Sequence, residues 1–198
     1  MIEKYYNGVI EQVAGGIGNV EHNSILVRYS NDFSIWDLES VNHYKDQTDI
    51  FFTCHEFSYN KIAEAYEPYL GLIRQMFHKY CSGTLEEFME ECDVYKLQRP
   101  VFESYFEKGF CERTEQILID EVEYEQERMH SSIVTMLQKL SEICPIVIVL
   151  NRFQLASKST MQLTNRLLQT KNKNIGIVLG VNDVQSIPEF AHEEWDAI

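Results

Sequence analysis

The sequence has few of the features that mark the commonest functional classes. Lysine and arginine number 17 against 31 aspartate and glutamate residues, which gives a net charge of −14, and the basic residues form no cluster. Nucleic-acid binding needs a basic surface, so we expect no nucleic-acid partner. No segment approaches the ~20 apolar residues of a membrane-spanning helix, and the charged N-terminus MIEKYYNGVIEQ is not a signal peptide. We therefore expect no membrane partner either.

The cysteines also lack the spacing that marks a disulfide framework or a metal site. The chain has five cysteines, an odd number, and no C-x-x-C pair. This pattern argues against a disulfide framework and against a structural zinc site. Reduced thiols are typical of cytoplasmic proteins, so we expect a cytoplasmic location and no metal.

What is present indicates one α/β domain over residues 1–198. At 198 residues and 44% hydrophobic content the chain is long and apolar enough to fold. Apolar runs alternate with segments of helical period, which predicts a three-layer fold with a mainly parallel, twisted sheet between helices. A helical insertion is expected around residues 84–112 and a long helix over 112–143. The predicted strands are SILVRYS, TDIFFTCHEF, PIVIVLNRF and NIGIVLGVND, and a helix STMQLTNRLLQT, capped near Ser159 or Thr160, lies between the last two.

A glycine cluster, Gly15, Gly16 and Gly18, precedes the first predicted strand. A dinucleotide-binding fingerprint follows a strand and opens a helix, whereas this cluster follows a helix. We interpret it as a connector.

The turn after the first strand has the position of a phosphate-binding loop without its residues. A P-loop, G-x-x-x-x-G-K-[ST], would place its glycines at Tyr29 and Ser34, its lysine at Ile35 and its hydroxyl residue at Trp36. Tyrosine cannot give the close backbone approach of glycine, isoleucine has no charge for a phosphate, and tryptophan cannot bind magnesium.

The third predicted strand carries the clearest resemblance. The segment IVIVLNRFQLASKSTMQLTNRLL resembles the second nucleotide motif of the signal-transducing (STAND/AAA-like) P-loop ATPases, in which four apolar residues lead into two acids. Here the acids fall on Asn151 and Arg152, and neither an amide nor a guanidinium can hold magnesium or polarise water. At the end of the fourth strand Asp183 stands where the family often has a nucleotide-sensing arginine. The resemblance covers roughly residues 20 to 185.

This resemblance implies a degenerate P-loop NTPase-like domain, a pseudo-ATPase without catalytic residues, metal or cofactor. In the family, such domains often lie N-terminal in bacterial regulators that continue into tetratricopeptide repeats, some with GGDEF output domains. We therefore expect this chain to be part of a longer multidomain regulator. Its expected partners are other domains of that chain or a second copy of itself.

Two other hypotheses stay open. One is a small-molecule or nucleotide-binding domain, or an enzyme of another α/β family, with a site near His55, Asn151 and Asp183. The other is an ATPase or nucleotidase whose catalytic groups come from a partner chain. A Cys54–His55 nucleophile is disfavoured because adjacent residues on a strand point to opposite faces.

Overall fold

A four-stranded parallel sheet organises the fold. The computed structural model describes residues 2–18, 24–30, 35–45, 49–58, 65–109 and 122–183. The strands lie where the apolar runs predicted them, which confirms the α/β class and the parallel sheet flanked by helices. All residues of the third and fourth strands are buried, as expected for strands covered on both faces. The strands are β1 (Ser24–Tyr29), β2 (Phe51–Glu56), β3 (Ile146–Asn151) and β4 (Ile175–Asn182).

The strand order is β1-β4-β3-β2, and every neighbouring pair is parallel. The connection from β1 to β2 and the connection from β3 to β4 therefore run in opposite directions across the sheet. Because such crossovers are right-handed, their helices cover opposite faces of the sheet. The result is a three-layer arrangement, compatible with the P-loop-like fold that the resemblance implies.

One face of the sheet is covered by α1 (Ile2–Gly15) and α2 (Glu39–Lys45). Side chains of both helices pack in one core cluster with alternate residues of β1, β3 and β4. The spacing of Ile35, Leu38 and Val41 in SIWDLESVNHY predicts one helix, but the segment forms a 3₁₀ turn (Ile35–Asp37) followed by α2. The main-chain N–H of Ser40 in the first turn of α2 donates to the Asn7 side chain of α1, so the start of α2 is fixed by a tertiary contact.

The opposite face is covered by α7 (Lys158–Gln169), the β3–β4 crossover helix. Its N-cap is Ser157, whose hydroxyl accepts the main-chain N–H of Thr160, so the predicted cap at Ser159 or Thr160 lies two residues or more too late. The Thr160 hydroxyl instead accepts the main-chain N–H of Tyr66. Between β3 and α7 a 3₁₀ turn (Phe153–Leu155) follows Arg152, which has a left-handed backbone with φ 53°.

The helical residues between β2 and β3 form a second compact unit, Glu67–Leu140, separate from the sheet unit formed by residues 1–66 and 141–198. This span is wider than the insertion predicted around 84–112. Within it Phe77 packs against Phe88 and Phe106, with ring centroids 5.3 and 5.6 Å away. The helices are α3 (Glu67–Tyr80), α4 (Leu85–Glu91), α5 (Arg99–Lys108) and α6 (Val122–Ile143), whose last turn belongs to the sheet unit.

The long helix was predicted over 112–143, and the described part of it begins at Val122. Residues 110–121 lie outside the described ranges. In the part of the chain that the structure describes, no helix is long and apolar enough to cross a membrane.

Candidate functional site

The candidate site lies at the carboxyl ends of the strands, on the face covered by α1. The register pairs Tyr29 with Asn182 and Glu56 with Asn151, and it places Asn151 beside Gly180, because Val149 pairs with Val178. Since side chains alternate along a strand, all five residues belong to the same face of the sheet. Ligands of open parallel sheets bind at this end of the strands.

Tyr29 and Asn151 meet across β4. The Tyr29 hydroxyl donates to Asn151 Oδ1 at 2.7 Å, although the two residues are on strands separated by a third. In a working P-loop ATPase these two strand ends must also converge, because the loop hydroxyl and the strand acid hold the same magnesium ion. The convergence is present here, and a phenol and an amide make the contact.

Gly180 makes this approach possible, because it leaves space in the centre of the sheet. A Cβ atom at this position would lie 2.5 Å from Asn151 Oδ1 and closer still to the Tyr6 hydroxyl. Tyr6 comes from α1, is fully buried, and packs edge-on against Tyr29 with ring centroids 6.3 Å apart. The two phenols therefore fill the space over β4, on the face that α1 covers. The Asn151 amide nitrogen, also fully buried, has no hydrogen-bond partner among the described residues.

At the edge of this cluster, the Glu56 carboxylate contacts the cationic and N–H groups that could otherwise bind an anion. One Glu56 oxygen lies 3.3 Å from the Nε of Arg152, and the other accepts the main-chain N–H of Ile35 at 3.4 Å. Both charged side chains are largely buried, at 16% and 21% exposed. Ile35 and Arg152 align with residues that, in the resembled family, face the phosphates and the attacking water. Here both residues contact the Glu56 side chain of β2.

Burial sets the protonation of the two phenols. It raises the pKa of Tyr29 to about 12, an effect that the nearby Arg152 guanidinium reduces in part. Burial, with a further contribution from Tyr29, raises the pKa of Tyr6 well above its ordinary value. Both side chains are therefore neutral hydrogen-bonding groups at physiological pH and supply no charge for a metal or a phosphate.

Gln154 holds the end of β4 in place. Its side-chain nitrogen donates to the main-chain oxygen of Asn182 at 3.2 Å, and its side-chain oxygen accepts the Asn182 N–H at 3.4 Å. Gln154 is fully buried. This pair of bonds fixes the turn after β3 against the neighbouring strand, as a main-chain ladder would.

The other residues singled out in the sequence have different surroundings. Ile35 is fully buried in the α1–α2 core, Trp36 is half exposed, and Ser34 lies outside the described residues. Asp183 is exposed, and its main-chain N–H donates to the Tyr29 carbonyl. His55 pairs with Leu150, so it lies on the face opposite Asn151 and is not brought together with it.

Sequence reasoning missed three contributors to the site. Tyr6 belongs to no motif of the sequence, although its helical spacing predicts a buried position, and Glu56 was predicted only as part of the strand TDIFFTCHEF. The signal for Gly180 was present, since an isolated glycine within a strand marks a close approach of neighbouring groups. The structure contains no cluster of three or more metal-ligating side chains within the described ranges.

Compared with protein-family models, with curated proteins and with solved structures, the chain matches none. The geometry of the strand ends is therefore the basis of the functional argument.

The raised pKa values of the phenols predict a loss of stability at high pH. The unfolded chain releases the Tyr29 proton near pH 10, whereas the folded protein holds it to about pH 12. The stabilising contribution is therefore complete below pH 10 and falls by about 1.4 kcal/mol per pH unit between the two values. Urea unfolding of wild type and Tyr29→Phe at pH 8 and 11 measures this. The variant should lose less stability between the two pH values, and equal losses would contradict the assignment.

Proposed function

We propose that this chain is a non-catalytic regulatory module with a P-loop-ATPase-like fold. It acts in the cytoplasm through contacts with other domains of a longer chain or with a second copy of itself. One observation carries the proposal. The side chains of Tyr6, Tyr29 and Asn151 fill the strand-end site next to Gly180.

The electrostatics support the same proposal. Phosphoryl transfer depends on cations and metal ions that neutralise charge on the transferred group. Here Arg152, the cation at the site, pairs with Glu56, and the Ile35 main-chain N–H donates to the same carboxylate. A triphosphate would meet that carboxylate and would have to displace it, with both charges largely removed from water. Such an exchange is unfavourable because it leaves a buried anion without its partner.

A phosphate-release assay tests the absence of catalysis. Wild type with ATP or GTP and magnesium should release no phosphate above the buffer rate. The double variant Asn151→Asp, Arg152→Glu, which supplies both acids of the resembled motif, should be equally inactive because lysine and the loop glycines are still missing.

Magnesium-dependent release by wild type, proportional to protein concentration and lost in Tyr29→Ala, would contradict the proposal. Release that grows with the square of the protein concentration would instead support the hypothesis that a second copy supplies catalytic groups. A dilution series separates these outcomes.

A further inference from the structure

No strand of the described residues lies beyond the outer edge of β1, and a groove lies beside this edge. Among the described residues β1 pairs with β4 alone, so one row of its main-chain N–H and C=O groups faces outward. On one side of this edge a groove of about 470 Å³ runs between α1 and β1. The groove is lined by Lys4, Tyr5, Gly8, Val9, Gln12 and Ile25.

On the other side of the same edge the helical cover stops before β1. Leu179 of β4 is 3% exposed, while its neighbour Leu26 on β1 is 42% exposed. Tyr5, in the wall of the groove, is 60% exposed. An added strand would therefore gain main-chain hydrogen bonds and would cover apolar side chains on both faces.

The charges at this edge select the occupant. Lys4 lines the groove, Arg28 is exposed on the same face of β1 as Leu26, and none of the described residues that line the groove is acidic. In a chain with a net charge of −14 this is a locally basic border. A second copy added edge to edge would bring together two chains that each carry a net charge of −14, which is unfavourable.

We propose that the edge of β1, with its groove, binds an extended acidic peptide of a partner protein by strand addition. Main-chain hydrogen bonds to β1 supply the affinity. Apolar side chains of the peptide cover Leu26 on one face and enter the groove beside Tyr5 on the other, while an acidic side chain on each face pairs with Arg28 or with Lys4. The inference rests on the proposed function, because it names the chemistry of the partner through which the module would act.

Fluorescence anisotropy tests the site with a labelled peptide Val-Ile-Glu-Asp-Val-Ile-Glu-Asp, which as a strand presents both apolar and acidic side chains on each of its faces. We expect saturable binding to wild type, about tenfold or more weaker binding to Lys4→Glu, Arg28→Glu, and unchanged binding to Lys158→Glu, whose residue is an exposed lysine on α7. Circular dichroism of the variants verifies that they are folded. Equal binding to all three proteins, or no binding to any, would overturn the proposal.

Two further peptides separate strand addition from charge attraction alone. A peptide of the same sequence with alternate N-methylated amides keeps every charge but cannot form the main-chain ladder, so its binding should be lost. A peptide with lysine in place of each acidic residue should bind wild type at least about tenfold more weakly than the parent peptide does. If the N-methylated peptide binds as well as the parent, strand addition is wrong.

Light scattering measures whether the protein forms a dimer. A dimer that the double variant Lys4→Glu, Arg28→Glu abolishes would show that a second copy binds at this edge, and it would also overturn the proposal. None of these results depends on nucleotide, so a failure here leaves the non-catalytic assignment standing.

Discussion

Gly180→Ala should lower the free energy of unfolding by about 3 kcal/mol, among the largest effects available to a single added methyl group. The new Cβ would lie 2.5 Å from Asn151 Oδ1 and closer still to the Tyr6 hydroxyl. The Tyr6 hydroxyl and Asn151 are fully buried between α1 and the sheet, so the cluster has nowhere to expand. Urea or thermal unfolding measures the loss, which corresponds to a fall in Tm of roughly 6–12 °C.

The matched control for this substitution is Gly8→Ala, in the interior of α1. A Cβ at Gly8 meets nothing within 4 Å, so alanine should stabilise the helix by about 0.5–1 kcal/mol. In a Tyr6→Phe background, Gly180→Ala should cost about 1 kcal/mol less than in wild type, because the nearest clashing atom has been removed. Strictly additive effects of the two substitutions would show that Tyr6 does not occupy the space above Gly180.

Asn151→Asp, which introduces the acid found in the resembled motif, should destabilise the protein by about 2–4 kcal/mol at pH 7. The side chain is fully buried, so burial disfavours its charged form and raises its folded pKa above the unfolded value near 3.9. For an acid with a raised pKa, the deficit is present above the unfolded value and shrinks as the pH falls toward about 4. Unfolding of the variant and wild type at pH 7 and 5 measures it.

The control for this variant is Asn42→Asp, at an exposed position on α2, which should change stability by less than about 0.5 kcal/mol at either pH. Magnesium should not rescue Asn151→Asp, because Tyr29 and Tyr6 close the position and the neighbouring Glu56 carboxylate is paired with Arg152. A deficit that magnesium removes would mean that the position still functions as a metal site.

The strands of the sheet were predicted well because the local sequence of each strand indicates it. PIVIVLNRF is an almost continuous β-branched run, and the six residues from Ile146 to Asn151 are all buried. The start of α2 and the cap of α7 were placed less well. The main-chain N–H of Ser40 is bound by Asn7, a residue more than thirty positions earlier, and no local pattern encodes such a contact.

The candidate site was predictable in position but not in content. Aligning Tyr29 and Asn151 with the two nucleotide motifs predicted that both lie at the same end of the sheet, and they are hydrogen-bonded there. The contributions of Tyr6 and of the Glu56–Arg152 pair depend on strand order and register, which join residues far apart in the chain. Helical periodicity indicates that Tyr6 is buried, but not which strand it covers.

We propose that the protein's own side chains occupy the position where a triphosphate binds in the resembled family. Isothermal titration calorimetry and thermal unfolding with ATP, ADP and GTP, with and without magnesium, test it most directly. A ligand at a hundred times its Kd would add about 2.7 kcal/mol to the stability, which is easily measured. We expect no binding heat and no change in Tm with any of the three nucleotides. Magnesium-dependent stabilisation by ATP, weakened in Tyr29→Ala and Arg152→Ala, would contradict it.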